Sequence, residues 1–262
     1  MYEAWEGIHM MPSKVFRGHL VIAGIALLGM MLPGSAAFAA APDRPAPDNG
    51  PSIEVTARDV AASNQKIGMA YTALVDMWTT ELRQVGVRFV APRIMRYSGR
   101  ALTPCGIVTP NNAEYCPSRN TILYDEVFVA AMAKAAANSL GTDGDMTAVG
   151  VIAHEMGHAV AQQLGHWSRS SYENEATADC LAGAFTRQAQ HDGSIEDGDI
   201  DEAFFGMALA GDPTPEPTGN RRLDRVIQAR LARESHGTKD QRMQNFRAGL
   251  EGGGGACLEE LR

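Results

Sequence analysis

The segment His154-Glu155-Met156-Gly157-His158 constrains this chain more than any other. On an α-helix, side chains at i and i+4 leave the same face, so both imidazoles point at one place. Two imidazoles in that arrangement suit one tetrahedral Zn²⁺. Glu155 follows His154 by one residue, about 100° around the helix axis. It can reach a water on the metal without being a ligand itself. A metal that acidifies water and polarises a carbonyl, beside a carboxylate that takes the proton, is what hydrolysis of a peptide bond needs. With 7 His among 262 residues, chance placement would produce such a motif only about 0.01 times, so it is read as a signal.

The surroundings support that reading. Val149, Val151, Ile152, Ala153 and Val160 flank the motif, and Ala178, Leu181 and Ala182 lie near the acids that follow it. Charged groups among core-type positions must be paired or bind a metal. Overall composition, 45% hydrophobic and 21% charged, is that of a chain that buries a core. The net charge of −8 argues against a nucleic-acid partner.

A catalytic zinc site takes a third protein ligand and keeps one position open. The metzincin extension would need Gly at 161 and His at 164, but Ala161 and Leu164 stand there. His166 lies past the helix break. The better candidate is Glu175, opening Glu175-Ala176-Thr177-Ala178-Asp179 on the next helix. Asp179, one turn on, can accept a hydrogen bond from a ligand histidine and fix its tautomer. A short loop lets the two helices pack antiparallel. The plainer alternatives are that Glu173 and Glu175 only complement a helix dipole and that Asp179 is a surface acid.

The amino-terminal region reads differently. Lys14 and Arg17 precede an apolar run from Leu20 to Leu32, followed by small residues around Ala37-Phe38-Ala39. This is the pattern of a secretory signal peptide. The expected division is a signal over 1–39, with translation starting at Met10 or Met11, a linker over 40–52, and one domain over 53–262. The protein is expected to be exported, periplasmic or secreted. The alternative is an uncleaved segment anchoring it to the membrane. Four cysteines, Cys105, Cys116, Cys180 and Cys257, suit such a compartment, and three pairings are open to them. Cys105 and Cys116 enclose the turn signal Pro110-Asn111-Asn112 and are expected to staple a hairpin, which leaves Cys180 with Cys257. Free buried thiols are the alternative.

Elsewhere, apolar spacing from Ile67 to Val85 predicts a long amphipathic helix. Strands are expected over 88–97, where Pro92 suits an edge, and over 121–124. Helices are expected over 125–138, 146–164 (capped by Asp145), 170–190, 221–234 and 240–250. His191–Asp201 reads as a solvated acidic loop, 212–219 as a Pro-rich loop and 252–255 as a flexible hinge. The fold class is therefore mainly α with a small β-sheet, α+β.

His154–His158 followed by Glu175-x-x-Ala178-Asp179-Cys180 resembles the bacterial neutral zinc metallopeptidase family, of gluzincin type. Arg96–Arg100 with Thr103–Gly106 is similar to that family's segment before its hairpin. Tyr115–Pro117 with Ile122–Asp125 is similar to its strand before the helices. Ser235–Thr238 with Gln241-Arg242 and Phe246 resembles its carboxy-terminal motif. Ala159 and Ala176-Thr177 depart from the family pattern, at positions that are not ligands. The resemblance implies a zincin-like domain, zinc on His154, His158 and Glu175, and Glu155 as general base. The expected activity is hydrolysis of a peptide or protein substrate. His236, in a polar Ser-His-Gly-Thr turn, is the candidate oxyanion donor or else a surface turn residue. A non-proteolytic zinc-binding envelope protein and a zinc hydrolase of non-peptide bonds are the competing readings. No membrane contact is expected beyond an uncleaved anchor.

Overall fold

The computed structural model describes residues 53–262. The expected signal peptide and linker lie outside the described residues. Helix α1 (Ala57–Gln84) opens on a capping box: Asp59 N–H donates to Thr56 Oγ1 and Thr56 N–H to Asp59 Oδ2. Its buried stripe is Ile67, Leu74, Trp78 and Leu82. Each such side chain contributes roughly 1.5–3 kcal/mol when removed from water. Tyr71 adds a 2.6 Å hydrogen bond to the Pro92 carbonyl, tying the helix to the entrance of the sheet.

Three strands form a mixed sheet in the order β1 (Arg93–Tyr97), β5 (Thr121–Asp125), β4 (Ala113–Cys116). β1 runs parallel to β5, and β4 antiparallel to it. All five residues of β5 are buried, as a strand paired on both sides requires. Pro92, which has no N–H to give a ladder, immediately precedes the edge strand β1. A separate hairpin, β2 (Ala101–Thr103) and β3 (Gly106–Val108), was not foreseen, nor was β4. Cys105 sits in the hairpin turn, and its disulfide to Cys116 ties the hairpin tip to the end of β4. The Pro110–Asn112 turn instead connects β3 to β4. The Tyr97 hydroxyl holds this connection, 2.9 Å from the carbonyls of both Thr109 and Asn112.

Asp125 caps α2 (Glu126–Leu140), accepting from the amides of Val127 and Phe128. The axis of the fold is α3 (Asp145–Gln163), buried from Met146 to Ala161 except at Val151. Asp145 is not its cap. The cap position is Gly144 at φ 80°, a left-handed conformation that favours glycine, and the cap's work falls to a remote side chain. Glu202, wholly buried on α5 (Asp199–Leu209), accepts 2.8 Å hydrogen bonds from the amides of Gly144 and Met146. The expected solvated loop therefore ends at Gly198, and Asp199 and Glu202 are core residues.

Ser170 caps α4 (Ser171–His191), accepting from the Glu173 amide. Helices α3 and α4 cross at Gly157, where a Cβ would stand 2.8 Å from the Ala178 carbonyl oxygen. Helix α6 (Arg221–Glu234) lies at the periphery with no fully buried residue, and α7 (Lys239–Gly252) packs on α4 through Phe246. The expected glycine hinge is a short helix, α8 (Gly254–Cys257), whose Cys257 is bonded to Cys180. The fold is mainly helical with a small mixed sheet. Among the described residues no helix is long and apolar enough to cross a membrane.

Candidate metal centre

Helix α3 carries His154 and His158 one turn apart, and the close crossing at Gly157 brings Glu175 of α4 against both. His154 Nε2 lies 3.1 Å from Glu175 Oε2, and His158 Nε2 lies 3.4 Å from Glu175 Oε1. The imidazole rings are 4.7 Å apart at 83°. Ligands 2.0–2.1 Å from a tetrahedral zinc stand about 3.3 Å from one another, so the observed spacings fit such an ion. The donor chemistry fits as well: two imidazole nitrogens and one carboxylate, all gathered within 4.8 Å.

The charge balance points the same way. Burial disfavours a protonated His154, but hydrogen bonds to Asp179 and Glu175 outweigh it and hold the imidazole well above its usual value. Burial likewise pushes Glu175 up, yet the two imidazoles outweigh it and hold its carboxyl well below the usual carboxylate range. These groups stabilise positive charge between them, as a bound divalent cation would supply.

Behind His154 stands a buried relay. Asp179, with no exposed surface, places Oδ1 2.8 Å from His154 Nδ1. A carboxylate only accepts, so Nδ1 carries a proton, and a metal at the centre would take the lone pair of Nε2. Arg242 of α7 completes the arrangement. Its Nε donates to Asp179 Oδ2 at 3.1 Å, its Nη2 to Oδ1 at 2.6 Å, and its Nη1 to the Ala210 carbonyl at 3.1 Å. Burial lowers the Arg242 pKa, but the Asp179 carboxylate outweighs this and raises it. His158 lacks such support, because its buried Nδ1 has no partner among the described residues.

The centre opens into a cavity of about 480 Å³. Glu155, buried on α3, lines it beside His154 and His158. Asn112, Ala113, Glu114 and Tyr115 bound one side, and Trp167 stands 5.9 Å from the His158 ring. His236 also lines the cavity, from the rim. Its side chain is 62% exposed, with Nδ1 3.6 Å from Asp212 Oδ1, and its amide donates to Asp212 Oδ2 at 2.8 Å. His166 faces elsewhere, paired with Glu260 at 2.7 Å.

The strand expected over 121–124 offers no free edge to an extended substrate. That strand is β5, whose two edges are occupied by β1 and β4. Among the described residues, the strand bordering the cavity with an unpaired side is β4. Arg242 and Glu114 were likewise not assigned a role from sequence. Arg242 stood in the quoted carboxy-terminal motif, but its partner lies 63 residues away, and no local spacing announces that pairing.

Comparison with known proteins agrees with the geometry. The chain is 32% identical over 216 residues to the uncharacterized protein YpfJ of Escherichia coli (strain K12), covering 74% of this chain and 69% of that protein. It is 28% identical over 194 residues to the uncharacterized protein Rv2575 of Mycobacterium tuberculosis (strain H37Rv), covering 63% and 60%. No solved structure matches it. The family described as "Putative neutral zinc metallopeptidase" matches residues 21–259, and the chain, with its paired histidines and facing glutamate, belongs to that family.

Proposed function

We propose that this protein is an exported zinc-dependent peptidase with a zincin-like site, in which Glu155 is the general base. The observation that carries the reading is the convergence of His154 Nε2, His158 Nε2 and the Glu175 carboxylate at 3.1–3.4 Å, in a cavity that Glu155 also lines. Zinc bound there would lower the pKa of a coordinated water and polarise a substrate carbonyl.

The chain's own residues supply the rest. Asp179 and Arg242 hold the His154 tautomer that leaves Nε2 free. Glu155 takes a proton from the attacking water and delivers it to the leaving amine nitrogen, so the carbonyl carbon gains OH and the amine gains H. The unpaired side of β4 hydrogen-bonds an extended peptide as an added strand. His236, at the rim, is the donor to the developing oxyanion. The two disulfides support an oxidising, extracytoplasmic location.

Substituting Glu155→Gln in the zinc-loaded protein tests the mechanism. Zinc content should persist while cleavage of an unstructured protein such as casein falls by roughly 10²–10⁴-fold, the range ascribed to a general base. Unchanged cleavage would overturn it. A wild-type protein that holds zinc yet cleaves no peptide would overturn the peptidase reading itself.

A further inference from the structure

We propose that the outward face of α6 docks an acidic stretch of the polypeptide substrate as it leaves the cavity. The inference rests on the peptidase reading above and names a substrate class for it. Five arginines (221, 222, 225, 230 and 233) stand on this helix against Asp224 and Glu234, in a chain whose net charge is −8. Of these five, only Arg230 has a carboxylate partner among the described residues, Glu234 at 2.7 Å. Asp224 is occupied by Thr218, whose amide and hydroxyl donate to it at 2.8 and 2.6 Å. Arg225 and Arg233 donate through Nε only to carbonyls one turn back.

The helix is oriented so that this charge faces outward. Ile227 and Leu231 are half-buried toward the body. At about 100° per residue, Arg222, Arg225, Val226 and Arg233 fall together on the opposite side. An interfacial membrane helix would turn its apolar residues outward to enter the acyl region. Here three guanidiniums crowd the outward face, and the exposed large apolar residues are Val226, 60% exposed, and on the flank Leu223, 47% exposed. Guanidinium groups form paired hydrogen bonds with carboxylates, so the matching ligand is a run of Asp or Glu.

The helix itself reaches the site at its carboxy-terminal end. Ser170, the cap of α4, donates from its hydroxyl to the Ala232 carbonyl at 3.3 Å, and the following Ser171 lines the cavity. Arg233 is three residues before His236 on the rim. The segment is closed at its base by the Asp212 amide donating to the Gly237 carbonyl at 2.8 Å. A helix of 14 residues is about 21 Å long, the span of about six extended residues. Six acidic residues are therefore enough to follow the arginines.

The test measures binding apart from turnover. Fluorescein-labelled hexaglutamate is titrated by anisotropy against the Glu155→Gln protein and against the same protein carrying Arg222→Ala, Arg225→Ala and Arg233→Ala. The expected result is salt-sensitive binding that weakens about tenfold in the triple variant. In the Glu155 background, kcat/KM is compared for two peptides of one cleavable sequence, with and without a hexaglutamate extension at either end. The preference for the extended peptide should fall in the triple variant by about the same factor. Hexaglutamate that binds both proteins equally, or neither at low ionic strength, overturns the proposal. Arginine-dependent binding to phosphatidylglycerol vesicles without binding of hexaglutamate overturns it in favour of a lipid surface. If hexaglutamate binds as expected but no peptide is cleaved, the peptidase reading falls and the docking face stands.

Discussion

Arg242 and Asp179 form a buried ion pair directly behind His154. Two guanidinium nitrogens of Arg242 reach Asp179, and Asp179 in turn lies 2.8 Å from His154 Nδ1. Asp179→Asn keeps the shape and removes the charge. Breaking one side of a buried pair typically costs about 3–5 kcal/mol, because the other charge is left unmatched. Loss of a carboxylate that orients a ligand histidine lowers metal affinity about 10–100-fold. Both effects are expected here, read by urea denaturation and by competition with a zinc chelator. A variant that holds zinc as tightly as the parent would remove Asp179 from the metal site.

Gly157 sits inside the histidine motif because α4 passes too close for a side chain. A Cβ there would meet the Ala178 carbonyl oxygen at 2.8 Å and its Cα at 2.9 Å. Gly157→Ala should cost about 2 kcal/mol from overpacking, and Gly157→Val more. Forcing the helices apart also moves Glu175 from His154 and His158, so zinc affinity should fall alongside the urea midpoint.

Asp199 supplies a pH-dependent prediction. Its burial, aided by repulsion from Asp145, Glu202 and Asp143, outweighs the hydrogen bond from the Glu196 amide and pushes the carboxyl from 3.8 up to about 6. Between these values the native state keeps a proton that the unfolded state has released. The stability this proton supplies is present at low pH and is lost as pH rises through about 6. Asp199→Asn should therefore raise stability by about 1 kcal/mol at pH 7–8 and leave it nearly unchanged near pH 4. Thermal melts across that range would show whether the gain grows with pH.

The Cys180–Cys257 disulfide closes a loop with a sequence separation of 77 and holds the end of the chain against α4. Closing a loop of that size is worth about 4 kcal/mol in the chain-entropy account. Replacing both cysteines by serine should lower the denaturant midpoint accordingly. The Cys105–Cys116 pair, with a separation of only 11, should matter less.

Most helices could be read from the chain because their signals are local. The stripe Ile67, Leu74, Trp78 and Leu82 repeats at helical spacing, and Ser170 announces the start of α4. α5 escaped because five acids between Asp192 and Asp201 look solvated. Two elements were misjudged for a related reason: an edge strand and a glycine hinge are defined by what packs beside them. Whether Thr121–Asp125 or Ala113–Cys116 has a free side depends on β1, which joins the sheet from earlier in the chain.

The centre divides in the same way. By itself the sequence determined the helical pair His154 and His158, the position of Glu155 beside them, and the acids Glu175 and Asp179 one turn apart. Those relations follow from 3.6 residues per turn and need nothing beyond neighbouring positions. Only the tertiary structure decided that Arg242 neutralises Asp179, that Glu202 rather than Asp145 satisfies the start of α3, and that β4 borders the cavity. Buried charges and unpaired amides must find partners wherever the fold brings them, and those partners stand dozens of residues away, where no spacing rule reaches.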